Sequence, residues 1–212
     1  MKALGGLKGT PGVDWSKVHV FFCNERDGGK TFSGDKSDFL EVVGIPLSNC
    51  HPVTGLDNGG DPKAAAAAYE KLLLSSSVIT QQNGGPSFDW IGLGTGDDGH
   101  CASINPGSDE AKADVINGPW VLPIAPNDSN PKAGITVSMR LINNAQRVTV
   151  SAGEKKRAPM VKRALTNEYE PFGCPAGEVA ASIRPGAHKC YVTWFVDTDS
   201  YADYKSRPAT SW

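Results

Sequence analysis

The stretch GTGDDGHCASINPGS, from Gly94 to Ser108, places one of the chain's four histidines behind two aspartates and three glycines. The residues before it, Phe88 to Leu93, form a short hydrophobic run that predicts a buried strand. Glycine adopts positive φ at low cost, so the chain can turn sharply where that strand ends. In α/β folds, ligands bind where a strand ends in such a turn and leads towards a helix. The stretch therefore predicts a functional turn around His100.

Strand and helix signals alternate along the rest of the chain. Strands are predicted at Val18–Cys23, Phe88–Leu93, Trp120–Ala125, Ile135–Met139, Arg147–Ala152 and Cys190–Asp197. Helices are predicted at Ser37–Val43, from Pro62 through AAAAAYEKLLL, at Gly153–Asn167 and at Pro175–Ile183, with a helical turn at Leu141–Ala145 and polar loops at Gln81–Ser87 and 126–134. Such alternation is typical of βαβ units. We expect an α/β fold, a single Rossmann-like domain over residues 1–212 with its core at 13–197, a parallel sheet and helices on both faces.

The charge balance narrows the classes of partner. The 212 residues include 21 basic and 23 acidic side chains, a net charge of −2. This near-balance argues against a sequence-independent nucleic-acid binder and against a polybasic membrane anchor. No apolar run reaches the roughly 18 residues of a membrane span, and the first residues lack the apolar core of a secretory signal. We therefore expect no nucleic-acid partner and no membrane span.

Cysteine and histidine usage indicates a reducing compartment and no metal. The five cysteines form no CxxC pair: Cys23, Cys50, Cys101, Cys174 and Cys190. Odd in number and widely spread, they favour neither a disulfide framework nor a zinc site. The four histidines have no ligand-like spacing either, so no metal and no cofactor is expected. The cytoplasm is the expected location, with the plastid stroma or another reducing organelle as the alternative.

The turn and three further segments carry a family resemblance. FDWIGLGTGDDGHCASINPGS resembles the signature of 6-phosphogluconolactonases, a strand leading into G-x-G-x-D-G-H-x-A-S and then proline. The matching positions are Gly94, Gly96, Asp98, Gly99, His100, Ala102, Ser103 and Pro106. VDWSKVHVFFCNER, ITVSMRLINNAQRVTVSAGEKK and CPAGEVAASIRP followed by VTWFVD resemble other family segments in the same order. The resemblance extends from Val13 to Asp197.

The resemblance implies hydrolysis of 6-phospho-D-glucono-1,5-lactone to 6-phosphogluconate, a step of the pentose phosphate pathway. Histidine suits the activation of water because its unperturbed pKa, about 6.5, lies near working pH. We expect His100 to act as the base and Asp98 to orient its ring, while backbone N–H groups of the turn and of a following helix face developing negative charge.

The sugar phosphate is the second feature that the site must hold. By resemblance, Arg26 and Lys156 bind the phosphate, the arginine as a fork and the lysine as a point charge. The same resemblance gives Asn24 and the backbone of the turn glycines, Gly94, Gly96 and Gly99, as substrate contacts.

Sugar-phosphate deaminases of the same superfamily share G-x-G-x-D-G-H, so this core alone does not separate hydrolysis from deamination. The Ala102-Ser103 pair and the C-terminal run from Trp194 to Asp197 favour the lactonases. Asn105 to Ser108 leans towards the deaminases. Deamination or isomerisation of a sugar phosphate stays as the lesser alternative.

Departures from the family pattern keep another alternative open. Nothing before Val13 supplies the serine-glycine-glycine loop with which members usually begin, and MKALGGLKGT resembles the tail of the helix after it. The chain is then either truncated at its start or without its first strand. Asn24 replaces the family's aspartate, Ser37-Asp38 replaces Ser-Asn, and Gly134 stands where many relatives carry arginine. Each change weakens anion binding.

Two functions therefore compete at this stage. The first is a working lactonase acting on a small-molecule sugar-phosphate lactone. The second is a catalytically degenerate subunit, a pseudoenzyme kept as an interaction component of a larger assembly, with a protein partner along the sheet edge that a lost strand would leave.

Overall fold

The computed structural model describes residues 5–126, 131–179 and 190–205. The chain divides into two compact units, Met1–Lys71 with Pro123–Thr136 and Leu72–Leu122 with Val137–Trp212. Each unit has strands and helices of its own. The predicted single domain over residues 1–212 stays a prediction.

Ten strands and six helices are described. The strands are β1 (Val20–Phe21), β2 (Asn24–Arg26), β3 (Cys50–His51), β4 (Thr80–Gln82), β5 (Gly85–Ser87), β6 (Ile91–Gly94), β7 (Val121–Ile124), β8 (Gly134–Val137), β9 (Arg147–Ala152) and β10 (Tyr191–Val196). The helices are α1 (Lys30–Asp35), α2 (Glu41–Val43), α3 (Pro62–Ser75), α4 (Met139–Ile142), α5 (Ala158–Thr166) and α6 (Ala202–Lys205). A wider π-helical turn, Lys36–Leu40, joins α1 to α2, and single 3-10 turns lie at Trp15–Lys17, Leu47–Asn49 and Lys155–Arg157.

The first unit packs its short strands on the helices that follow β2. β1 runs parallel to β3, and β2 pairs antiparallel with β8. The buried core is apolar: Phe22, Phe39, Leu40, Val43, Ile45 and Cys50. Tyr69 of α3 fastens the end of β1, because its buried hydroxyl accepts the Phe22 N–H at 2.8 Å and donates to the Phe22 carbonyl at 3.2 Å.

The second unit is built on a parallel sheet with the strand order β10-β9-β6. Alternate side chains of β6 and β9 are buried, and Ala152 at the end of β9 packs with Met160, Val161 and Ala164 of α5. Val148 and Val150 are wholly inaccessible to solvent. This burial fixes the register, since a slip by one residue would turn the apolar side chains outward. The carboxyl ends of β6 and β9 consequently lie side by side.

The predicted α/β class with parallel strands is confirmed, and the strand predicted at Arg147–Ala152 has those bounds. Two elements start elsewhere, at points where a preceding side chain accepts N–H groups of the first helical turn. The helix predicted from Ser37 begins already at Lys30. Met139, predicted as the end of a strand, opens α4, because the Ser138 hydroxyl accepts the Leu141 N–H as an N-cap.

Other predictions were wrong in the type of element or in its bounds. The polar loop predicted at Gln81–Ser87 is mostly the β4–β5 hairpin, turning at Asn83 and Gly84, both with positive φ. The strand predicted at Val18–Cys23 is reduced to β1, and Asn24–Arg26 forms a separate strand. Residues 95–120, all described, contain turns and no helix, so the glycine turn does not lead into one.

Some predictions fall partly on residues that the structure does not describe. These are the helical tail at residues 1–4, the middle of the loop at 126–134 and the second half of the helix predicted at Pro175–Ile183, of which 175–179 form turns. Within the described residues, no helix has the length and apolarity that a membrane crossing requires.

Candidate active site

The chain after β6 closes into a tight turn that its own backbone holds. The Gly96 N–H donates to the His100 carbonyl at 3.0 Å, and the Gly99 N–H donates to the Gly96 carbonyl at 3.3 Å. Gly99 has a φ of +96°, where side chains are strained. The turn therefore presents residues 97–100 at the carboxyl end of the strand.

Asp98 and His100 form a hydrogen-bonded pair on this turn. Oδ1 of Asp98 lies 2.8 Å from Nδ1 of His100 and accepts the His100 backbone N–H at 3.0 Å. An ionised carboxylate only accepts hydrogen bonds, so Nδ1 carries the proton, and in the neutral ring the lone pair lies on Nε2. The side chain of Asp98 is 51% exposed and that of His100 is 41% exposed, which leaves both accessible to a substrate.

The carboxyl group of Asp98 is held in its charged form. Partial burial raises its pKa, but the hydrogen bond from the His100 backbone N–H, the charge of the imidazolium and the ring hydrogen bond outweigh burial and lower it. Asp98 is therefore ionised at neutral pH and stabilises a proton gained by His100.

Two of the three turn glycines are required by space. A Cβ atom on Gly96 would overlap Nδ1 of His100 and Oδ1 of Asp98, and one on Gly99 would overlap Sγ of Cys174. Gly94 has nothing within 4 Å of such an atom. Gly96 thus makes room for the histidine pair, and Gly99 makes room for Cys174.

The expectation that the turn's N–H groups face a developing oxyanion needs correction. The N–H groups of Gly96, Gly99 and His100 all donate within the turn. Because residues 95–120 contain no helix, a following helix N-terminus does not contribute either. The hydrogen bonding that closes the turn therefore engages these three donors.

Lys156 lies just beyond β9, the strand beside β6. Gly94 and Ser151 are register partners, so the segment that follows β9 starts next to the histidine turn. Nζ of Lys156 is 3.4 Å from Oε2 of Glu154. The hydrogen bond and charge of Lys156, and then those of Arg157, lower the pKa of Glu154. The predicted phosphate cation thus has a carboxylate beside it.

Two arginines that the sequence reasoning missed support the histidine turn. Nε of Arg157 donates to the Thr95 carbonyl at 2.9 Å, and Nη2 of Arg163 donates to the Asp98 carbonyl at 2.8 Å. Arg157 follows Lys156 directly and reads as one more cation at a solvated helix start. Arg163 lies six residues further on in α5, a spacing that does not put it on the same helix face as Arg157, so nothing in the sequence indicated its inward direction.

Asn24 and Arg26 belong to the first unit, where both lie on β2. Asn24 is the register partner of Thr136, and Arg26 is the partner of Gly134 on β8. Nη1 of Arg26 donates to the Lys132 carbonyl at 2.7 Å. This bond fixes the orientation of the guanidinium. It also occupies Nη1, one of the nitrogens predicted to donate to the phosphate.

Glu25, between these two residues, has a structural role that the sequence analysis did not identify. It is 2% exposed, and its carboxylate accepts the N–H groups of Arg26, Thr31 and Phe32 at 2.9–3.1 Å. Buried carboxylates need such partners. Glu25 therefore fixes the loop after Arg26 and the start of α1.

The glycine at position 134 is explained by its neighbour strand. A Cβ atom there would overlap the Glu25 carbonyl oxygen and approach Cδ of Arg26 to 2.9 Å. An arginine at this position would require the β2–β8 backbone to move.

Known proteins resemble this chain in sequence and in fold. The sequence profile described as glucosamine-6-phosphate isomerases/6-phosphogluconolactonase matches residues 1–188. The chain belongs to this family.

Within the family, a similar relative is a protein of Arabidopsis thaliana named probable 6-phosphogluconolactonase 2. The two are 30% identical over 196 residues, which span 87% of this chain and 71% of the relative. The crystal structure of 6-phosphogluconolactonase from Leishmania guyanensis has a TM-score of 0.72 at 24% identity and covers 94% of this chain and 80% of its own. A monomeric glucosamine-6-phosphate deaminase also shares the fold, with a TM-score of 0.70 at 19% identity, over 95% of this chain and 81% of its own. The fold alone does not separate the two chemistries.

Proposed function

We propose that the chain hydrolyses 6-phospho-D-glucono-1,5-lactone to 6-phosphogluconate. The observation that carries the proposal is the Asp98–His100 pair on an accessible turn at the end of β6. The names of its relatives, 6-phosphogluconolactonases among both curated proteins and solved structures, support a hydrolase of this kind.

The pair supplies a base for the attacking water. Nε2 of His100 takes a proton from water as the oxygen attacks C1 of the lactone, and Asp98 stabilises the imidazolium through Nδ1–H. The tetrahedral intermediate then breaks the bond between C1 and the ring oxygen. The imidazolium returns its proton to that oxygen, which becomes the hydroxyl on C5. No metal or cofactor takes part in these steps.

Substrate binding is assigned through the family resemblance. Lys156 and Arg26 are the proposed phosphate cations, and Asn24, Gly94, Gly96 and Gly99 are the proposed further substrate contacts. Gly96 and Gly99 would make such contacts through atoms other than their N–H groups, which donate within the turn. When no anion is bound, the ammonium of Lys156 forms an ion pair with the carboxylate of Glu154.

Other functions have less support. The deaminase alternative shares the turn and the fold but lacks the support of the Arabidopsis relative's name. Nothing among the relatives favours a degenerate contact subunit. A protein partner along the sheet edge would have β10 available, the end strand in the order β10-β9-β6 of the described sheet. The cytoplasmic location stays a prediction.

The test is a lactonase assay on the purified chain with freshly generated lactone, corrected for spontaneous opening. We expect turnover that His100→Ala lowers by roughly 10²–10⁴-fold, the usual contribution of a general base. Release of ammonia from glucosamine 6-phosphate, measured in parallel, would favour the deaminase. Hydrolysis at the buffer rate in a folded protein would contradict the proposal.

A further inference from the structure

Arg157 spans the ends of two neighbouring strands. Its Nε donates to the carbonyl of Thr95, directly after β6, and its Nη1 donates to the carbonyl of Gly153, directly after β9, both at 2.9 Å. Nη1 also lies 3.3 Å from Oε1 of Glu154. One planar side chain thus joins the turn that carries His100 to the segment that carries Lys156.

The environment of Arg157 distinguishes it from its cationic neighbours. Its side chain is 21% exposed, whereas that of Lys156 is 57% exposed. Guanidinium presents several N–H donors in a rigid plane, so two carbonyls on different strands can be held in fixed relation. A lysine ammonium at the same place has no such plane.

The bond to Thr95 acts where the histidine turn begins. Gly96, the next residue, donates its N–H to the His100 carbonyl, and its missing Cβ makes room for the Asp98–His100 pair. The backbone entering the turn therefore sets the position of the ring. The buried Thr95 hydroxyl makes no hydrogen bond among the described residues, and the Arg157 side chain holds the Thr95 carbonyl.

We propose that Arg157 is a positioning residue for the reaction, which aligns the Asp98–His100 pair with the segment that carries Lys156. The proposal rests on the function proposed above, because it assigns these two features to one reaction. Arg157 acts through the Thr95 and Gly153 carbonyls and does not itself touch the substrate.

The test compares Arg157→Met with Lys155→Met. Both variants remove one positive charge from the same turn, but Lys155 is exposed and lies outside the contacts described for Arg157. A loss of charge near the anion site raises KM in both. Only Arg157→Met should lower kcat, by about 10- to 100-fold, since a displacement of about 1 Å in a catalytic group costs up to that much. Arg157→Lys should recover part of the loss by reaching one of the carbonyls.

A second readout does not depend on turnover. Long-range ¹H–¹⁵N spectra report which nitrogen of His100 carries the proton. We expect the Nδ1–H tautomer in the parent protein and in Lys155→Met, and a mixture of tautomers in Arg157→Met. If Arg157→Met does not fold, Arg157→Lys serves in both measurements.

The outcomes separate this proposal from the one on which it rests. A parent protein without lactonase activity, but with a tautomer that changes only in the Arg157 variants, would overturn the function and leave the alignment of the pair supported. An active parent whose kcat and His100 tautomer are the same in Arg157→Met would overturn the positioning role. Equal losses of kcat in Lys155→Met would overturn it too, because charge alone would then suffice.

Discussion

A single oxygen atom of Asp98 holds both the ring and the backbone of His100, at 2.8 Å from Nδ1 and 3.0 Å from the backbone nitrogen. The orientation of the imidazole is thereby tied to the path of the chain through the turn. A ring held in this way needs no reorganisation when it takes a proton, which is the condition for efficient base catalysis.

Asp98→Asn tests this relationship. The amide keeps the size of the side chain but lacks the charge and brings an NH₂ donor, so the Nδ1–H tautomer loses its stabilising partner. We expect kcat to fall by roughly 10²–10⁴-fold, as when a general base is disabled. Steady-state kinetics of lactone hydrolysis measures the effect. Asp97→Asn, which removes an exposed neighbouring charge, is the control, and an equal loss in that variant would refute the role of Asp98.

Gly96→Ala and Gly94→Ala test the space around the pair. A methyl group at position 96 overlaps both members of the pair, whereas one at position 94 meets nothing within 4 Å. Overpacking typically costs about 1–3 kcal/mol, so Gly96→Ala should lower the free energy of unfolding by that amount and disturb the His100 ring signals. Gly94→Ala should leave both the free energy of unfolding and the His100 ring signals unchanged. Denaturant unfolding and the ¹H–¹⁵N spectra measure the two effects, and a Gly96→Ala protein with unchanged stability and ring signals would show that the turn has room.

The hydrogen bonds of Asp197 predict how the stability of the protein depends on pH in the acid range. Its carboxylate accepts the N–H of Glu154 at 2.9 Å and that of Ser200 at 2.7 Å, and these bonds lower its pKa from the ordinary value of 3.8. A lowered pKa means that the stabilisation is present above 3.8 and is lost as the pH falls through the folded-state value. Asp197→Asn should therefore be less stable than the parent at pH 6, and the difference should shrink below pH 3.8. Melting temperatures across this range check the sign, and a difference that grows in acid would contradict it.

The sequence was most informative where one local pattern decided the structure. RVTVSA alternates as a strand does, so β9 was predicted at its true bounds. The G-x-G-x-D-G-H motif identified the residues that the turn brings together. What escaped prediction depends on contacts distant in sequence. Arg157 and Glu25 look like surface charges until the fold places backbone carbonyls or N–H groups around them. From the sequence, Gly134 is only the replacement of an arginine that many relatives carry. The structure shows that the neighbouring strand occupies the space of a side chain at this position.

The Lys156–Glu154 pair supports the last prediction, on the phosphate. Nζ of Lys156 lies 3.4 Å from Oε2 of Glu154, so a substrate phosphate that binds the ammonium competes with this carboxylate. Lys156→Ala removes a charge-assisted contact and should raise KM for the lactone by about 10-fold or more.

Glu154→Gln should act in the opposite direction. Exposed ion pairs are weak, so releasing Lys156 should lower KM by only about 1.5- to 5-fold. Initial rates at low ionic strength measure both effects, and inorganic phosphate as a competing ligand separates anion binding from chemistry. Lys155→Ala and Glu168→Gln, which each remove the charge of another exposed side chain, are the matched controls. If Lys155→Ala raised KM as much as Lys156→Ala, the anion would be held by the general field of the turn and not by the lysine that the family resemblance selects.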